Sequence, residues 1–257
     1  MLKRVLIPII ATSISPAQAQ FWDGPVIDAS MHSQAMLNTA LTTLNNTMVE
    51  RAAKEQARKQ GKSVSTTSRA ARPVTAPAPR AAAISGGYRP DPAVRRKLAD
   101  IMSKKAAESG AAQEAQMRQL VLSGEAVRQY EKIAPGLGLR ANDAIDGLTF
   151  YLLSQWGVAN NHRAMFTPAQ VAGVRRQAIA SFAGVADQVN TDALRQEFGE
   201  MLMVQGAIMS GVFETAVNAG DNTAAARYAA LARAGGKSVF TVDPTQVALT
   251  DSGFRRK

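Results

Sequence analysis

Apolar residues recur every three or four positions along most of this chain, and the recurrence breaks at a few polar, proline-rich or glycine-rich stretches. The first recurrence is Leu37, Leu41, Leu44 and Met48, inside residues 29–60. That spacing predicts one helix, amphipathic at first and then basic and solvated on all faces. Its apolar stripe is narrow, so it needs a partner surface to be stable. Residues 61–87 are built from Ser, Thr, Ala, Pro, Arg and Gly with almost no large apolar side chain. Such a stretch cannot bury enough surface to offset its ordering entropy, and it predicts a disordered linker, held locally extended by Pro73, Pro77 and Pro79.

Helical periodicity returns at Tyr88 and continues almost to the end. Asp91-Pro92 suits an N-cap and first helical position, followed by Val94, Leu98, Ile101 and Met102 on one face of a helix ending near Ser109-Gly110. Met117, Leu120, Val121, Val127 and Tyr130 predict a second helix over about 111–134, stopped by Pro135-Gly136 and marked by Gly124 as a bend or close contact. A third, 142–161, buries Ile145, Leu148, Leu152, Trp156 and Ala159. Thr167-Pro168 opens a fourth with Val171, Val174, Ala178, Phe182 and Val185 inward. Thr191 caps the longest, about 192–218, and a short alanine-rich helix over 222–234 ends at Gly235-Gly236. The tail reads as extended or turn-like, packing back over the helices, and no period-2 run predicts a paired strand. The expectation is an all-α fold: a compact antiparallel bundle of six helices over residues 88–257, preceded by a separate amphipathic helix over 20–60 and the linker over 61–87.

Composition changes this picture at the N-terminus. Lys3 and Arg4, an apolar run from Val5 to Ile14, and Ala17-Gln18-Ala19 follow the order of a secretory signal peptide over residues 1–19. Ten mostly apolar residues fall short of the about 20 that cross a bilayer, so cleavage after Ala19 is expected, with no transmembrane segment left afterwards. The mature chain is expected in the periplasm or outside the cell. The chain has no cysteine. It therefore has no disulfide staple, thiolate nucleophile or zinc–sulfur site.

Four short elements in order carry a family resemblance: Tyr88-Arg89-Pro90, then Gly138-Leu139 with Asn142-Asp143 and Asp146, then the Tyr151 to Trp156 helix, then Leu249-Thr250 with Gly253-Phe254. Over about residues 88–254 the chain resembles an uncharacterised family, a domain of unknown function, of exported bacterial helical proteins. The resemblance implies export, helical content and a boundary near 88. It brings no reaction, cofactor or partner, and it leaves the N-terminal helix and linker outside.

The net charge of +10 suggests nucleic acid until it is located. Residues 51–90 hold nine Lys and Arg against Glu55 alone, while residues 91–257 are close to balanced. A basic stretch without interleaved aromatics attracts polyanions but reads no bases. The expected contact is a weak one with anionic lipid or envelope polymers, and no specific nucleic acid is expected.

The densest patch of functional side chains is YLLSQWGVANNH, residues 151–162. It holds His162, one of two histidines; His32 is the other. Neither has a second histidine or a Glu at helical spacing, so no metal site is predicted. Ser154 and His162 sit eight residues apart on one helix, about 12 Å along its axis, too far for a nucleophile–base pair. No phosphate-cradling glycine loop is present, and no cofactor is expected. Asp143 with Asp146, and Glu197 with Glu200, can each share a helix face, as acid–base chemistry on a glycan would want. The first pair equally suits capping and dipole roles in an opening turn, and the second a solvated face.

The stretch itself reads as a core helix with a polar end, where Tyr151 and Trp156 anchor the core and Asn160, Asn161 and His162 stop it. Candidate ligand or partner contacts are Tyr151, Trp156, Asn160, His162, Asp143 and Asp146. The favoured function is a non-enzymatic exported module that binds a protein or an envelope polymer, with self-association or partner docking through residues 29–60. The alternative is an enzyme that processes peptidoglycan or another envelope glycan through Asp or Glu.

Overall fold

Helix α1 (Pro92–Ala106) begins where Asp91 accepts a hydrogen bond from Ala93 N at 2.7 Å and Pro92 fills the first helical position. The structure, a computed structural model, describes residues 84–257. The expected leader, the N-terminal helix and the linker up to residue 83 lie outside the described residues. Six further helices follow: α2 (Ala111–Ser123), α3 (Glu125–Ile133), α4 (Ala144–Ala159), α5 (Pro168–Ala183), α6 (Asp192–Asn218) and α7 (Asn222–Phe240). The chain closes with an antiparallel hairpin, β1 (Val247–Thr250) and β2 (Gly253–Arg256), in which Leu249 faces Phe254. The fold is thus mostly helical, with seven helices packed together and a small hairpin at the end.

The caps come from local chemistry. Thr167 and Gln170 form a reciprocal capping box at α5, with Pro168 at its first position. Thr191 caps α6 through Leu194 N, and Asp221 caps α7 through Ala224 N. Each such cap stabilises its helix by about 1 kcal/mol.

Tertiary packing places α4 at the centre. It lies against α5, α6 and α7, and of its sixteen residues only Trp156 is not fully buried. Its contact with α6 is made close by glycine. A Cβ on Gly147 would lie 2.9 Å from the Gly199 carbonyl oxygen, and a Cβ on Gly199 2.9 Å from Ala144 Cα. Around this axis Tyr151, Leu152, Phe182, Phe198, Phe213 and Phe240 are all nearly inaccessible. Fully burying one such side chain contributes about 1.5–3 kcal/mol.

Three elements differ from expectation. The helix expected over 111–134 is two helices, because Gly124 takes φ +67°, the left-handed conformation, and ends α2 before α3 starts. The alanine-rich helix runs through Gly235-Gly236 to Phe240. Gly236 serves close packing there, since a Cβ on it would meet Pro244 Cγ at 2.3 Å; α7 ends instead at Thr241, φ +56°. The tail packs back as expected, but as a paired hairpin whose four-residue strands are too short to show a period of two.

The chain also joins the domain just before Tyr88. Ala144 N donates to Gly86 O at 2.8 Å and Tyr88 N to Asn142 O at 3.0 Å, with Gly87 bridged to Asp143. Gly86 and Gly87, at the end of the expected linker, are therefore seated on the start of α4.

Candidate functional site

The two carboxylate pairs fall into structural roles. Asp143 is the N-cap of α4, accepting from Ile145 N at 3.0 Å and Asp146 N at 3.1 Å, with Arg140 at 2.6 Å. Burial and then the neighbouring Asp146 raise its carboxyl above the usual range, against the pull of those N–H groups and Arg140. Asp146 is fully buried and accepts from Arg140 N and Nε, both at 2.9 Å, and from Arg175 Nε at 2.5 Å. Tyr130 completes the corner by donating its hydroxyl to Arg140 O at 2.7 Å.

Glu197 and Glu200 were expected on a solvated face of the long helix. Both are buried instead, because α1 lies over that face of α6. Arg95 grips Glu200 with two nitrogens at 2.9 and 2.6 Å, and Lys97 reaches Glu197 at 2.7 Å. Neither pair opens onto a cleft with a facing acid. Among the described residues no group of His, Asp and Glu is arranged to hold a metal ion. No described helix is long and apolar enough to cross a membrane.

The 151–162 patch fastens the hairpin to the end of α4. Trp156 Nε1 donates to Val247 O at 2.9 Å, and Asn160 Nδ2 donates to Trp156 O at 2.9 Å and Pro244 O at 3.3 Å. Asn161 takes the left-handed conformation, φ +50°, just past the helix. Tyr151 is buried, and burial raises its hydroxyl pKa. His162 was expected at the polar end of the helix. Its ring stacks on Phe166, centroids 5.1 Å apart, and tilts against Trp156 at 5.2 Å. Burial lowers its pKa, against a backbone hydrogen bond with Ala164, and its Nε2 is buried without a partner.

That histidine belongs to a larger feature. A groove of about 400 Å³ runs between the C-terminal half of α2, α3, the C-terminal half of α4, the second half of α6 and the 162–166 loop. Its walls are mainly apolar, among them Met117, Leu120, Ile133, Leu153 and Ile208, with Met165 58% exposed at its edge. Its polar lining includes Ser154, His162, Gln116, Glu125, Glu214 and Arg163. Gln116 Oε1 is a second buried atom without a partner, and burial raises the Glu214 carboxyl pKa, opposed by Arg163.

Of the six candidate contacts, only His162 lines the groove. Tyr151 is packed inside, Trp156 and Asn160 hold the hairpin, and Asp143 and Asp146 hold the start of α4. The groove residues were missed because they come from four separate helices and a loop, and each helical stretch reads as ordinary core lining. The one available signal was excess: α6 carries more apolar positions than a single buried face requires.

Fold and site together define a mostly helical domain, clasped by a C-terminal hairpin, with an apolar groove among its described residues. The chain belongs to a family of unknown function, DUF6683, whose model matches residues 3–257. The match is wider than the resemblance over 88–254, since it also takes in residues 3–87. No curated protein matches the chain, and no solved structure does.

Proposed function

We propose that the protein is a non-enzymatic, exported module of the bacterial cell envelope that binds protein, holding an amphipathic helix in the groove beside α4. The observation that carries this reading is the groove itself. It is mainly apolar, open at Met165, and large enough for a row of aliphatic side chains. Helix-in-groove recognition works through such a surface, with anchors at i, i+3 or i+4 and i+7 entering the apolar floor. Export is supported by the order of charge, apolar run and small residues in the first nineteen positions. The basic segment 51–90 adds attraction to anionic lipid or envelope polymers, which would hold the module near a surface.

The enzyme alternative draws nothing from the acids that suggested it. Asp143, Asp146, Glu197 and Glu200 each hold a cap or an ion pair inside the fold. A glycan site also presents more polar surface than this groove has.

The test uses the absence of cysteine. M165C places a unique thiol at the groove's edge for an environment-sensitive fluorophore. A synthetic Leu/Lys amphipathic helical peptide should give a saturable blue shift, and Ala207→Trp, which fills the groove wall, should abolish it. No saturable change, or the same change in the A207W chain, would remove the proposal.

A further inference from the structure

We propose that the resting occupant of the groove is this chain's own N-terminal segment, with Leu37, Leu41, Leu44 and Met48 docked in cis. The inference rests on the groove being a helix-binding surface, and it names the helix. These four residues follow the i, i+4, i+7, i+11 spacing of one helical stripe, which lacks an apolar partner within its own segment. The groove is an apolar surface of the complementary kind, without a helix over it among the described residues.

Chain geometry brings the two together. Gly86 and Gly87 are pinned to the first residues of α4, so the N-terminal segment leaves the domain there. The groove begins at Phe150 and continues to Val158 on the same helix. At 1.5 Å per residue it lies about 9 to 21 Å along the axis from Ala144. If the helix continues to residue 60, as its pattern predicts, residues 49–60 extend about 18 Å and the linker residues 61–83 span about 26 Å as coil. The segment therefore reaches the groove without stretching the connection.

Charge agrees in sign. The groove lining carries Glu125 and Glu214 against Arg163, and the residues after Met48 are basic on balance, with Arg51, Lys54, Arg58 and Lys59 against Glu50 and Glu55. The choice between the chain's own segment and a second copy follows from concentration. A tether of this length gives an effective concentration of order 1 mM, about 1,000 times that of a second chain at micromolar levels. The family match running unbroken through segment and domain also fits a single working unit. The consequence is a self-capped site, in which a partner helix enters only by displacing the stripe.

The test is cross-linking in the full chain carrying L41C and M165C, its only two thiols. A short bismaleimide should join them within one chain, at monomer mass, and A207W should suppress the product. The control pairs L41C with Asp251→Cys, an exposed position in the hairpin turn that does not line the groove. Cross-linking between chains would overturn the cis assignment in favour of a second copy. Equal yields from test and control pairs would overturn docking altogether.

The Leu/Lys peptide separates this inference from the reading beneath it. It should bind a chain with L41D and L44D about tenfold or more tightly than the unsubstituted chain, since the groove is then fully available. Equal affinity for the two chains, without the intramolecular cross-link, overturns self-capping and leaves the groove reading intact. No binding to either chain overturns both.

Discussion

His162 is where burial and ionisation meet. Above about pH 6.5 its ring is neutral in the folded and the unfolded chain alike, and it contributes nothing to pH dependence. As the pH falls through its unfolded value of 6.5, the unfolded chain takes up a proton that the half-buried folded ring resists, because its folded pKa is lower. Stability is lost over that interval, and the loss levels off below the folded value. His162→Gln removes this term. The drop in Tm between about pH 7 and about pH 5 should be smaller in H162Q than in the unsubstituted chain, measured by thermal melts at matched ionic strength. An equal drop would mean that the ring is solvated. The residue type and its place at a helix end were legible in the sequence. Its packing between two rings was not, because Phe166 and Trp156 reach it only after the chain turns at Asn161.

At the scale of elements, the caps were the legible part. Asp91-Pro92, Thr167-Pro168 and Thr191 begin helices as their local hydrogen bonding dictates. Glycines were harder to read, since one residue type serves turns and close packing. Gly173 lies under the hairpin, and a Cβ there would be 2.3 Å from Gly253 N and 2.6 Å from Asp251 O. Both are backbone atoms that cannot move aside without shifting the hairpin, whose Phe254 N and O are held by Gln177. Gly173→Ala should cost about 1–3 kcal/mol in urea unfolding and speed trypsin cleavage at Arg255-Arg256. Gly235→Ala is the contrast. Its nearest neighbour would be 3.5 Å away, so stability should hold or rise by up to about 1 kcal/mol. Equal losses in both variants would contradict the packing account.

The whole molecule separates two jobs along one helix. The start of α4 carries the Asp143–Asp146–Arg140–Arg175 network that seats the entering chain, and its C-terminal half forms one wall of the groove. Asp146→Ala leaves two guanidinium groups without their shared acceptor, though both side chains keep some solvent access. The expected loss is about 2–3 kcal/mol of stability, below the full penalty for a stranded buried charge. Peptide binding to fluorophore-labelled M165C should be unchanged under conditions where the D146A chain stays folded. A loss of binding there would place the acidic corner in the binding site.

Helix class and most helix starts are local properties. They follow from side-chain spacing, capping chemistry and proline geometry within a few residues, so the amino-acid order alone was sufficient for them. The hairpin, the split at Gly124 and the groove depend on which distant surfaces meet. Four-residue strands carry too little pattern to be seen before they pair, and a groove is the space left between helices whose separate apolar faces look alike in sequence. Only the packing of α2, α3, α4 and α6 decided which of those faces were used up and which stayed open.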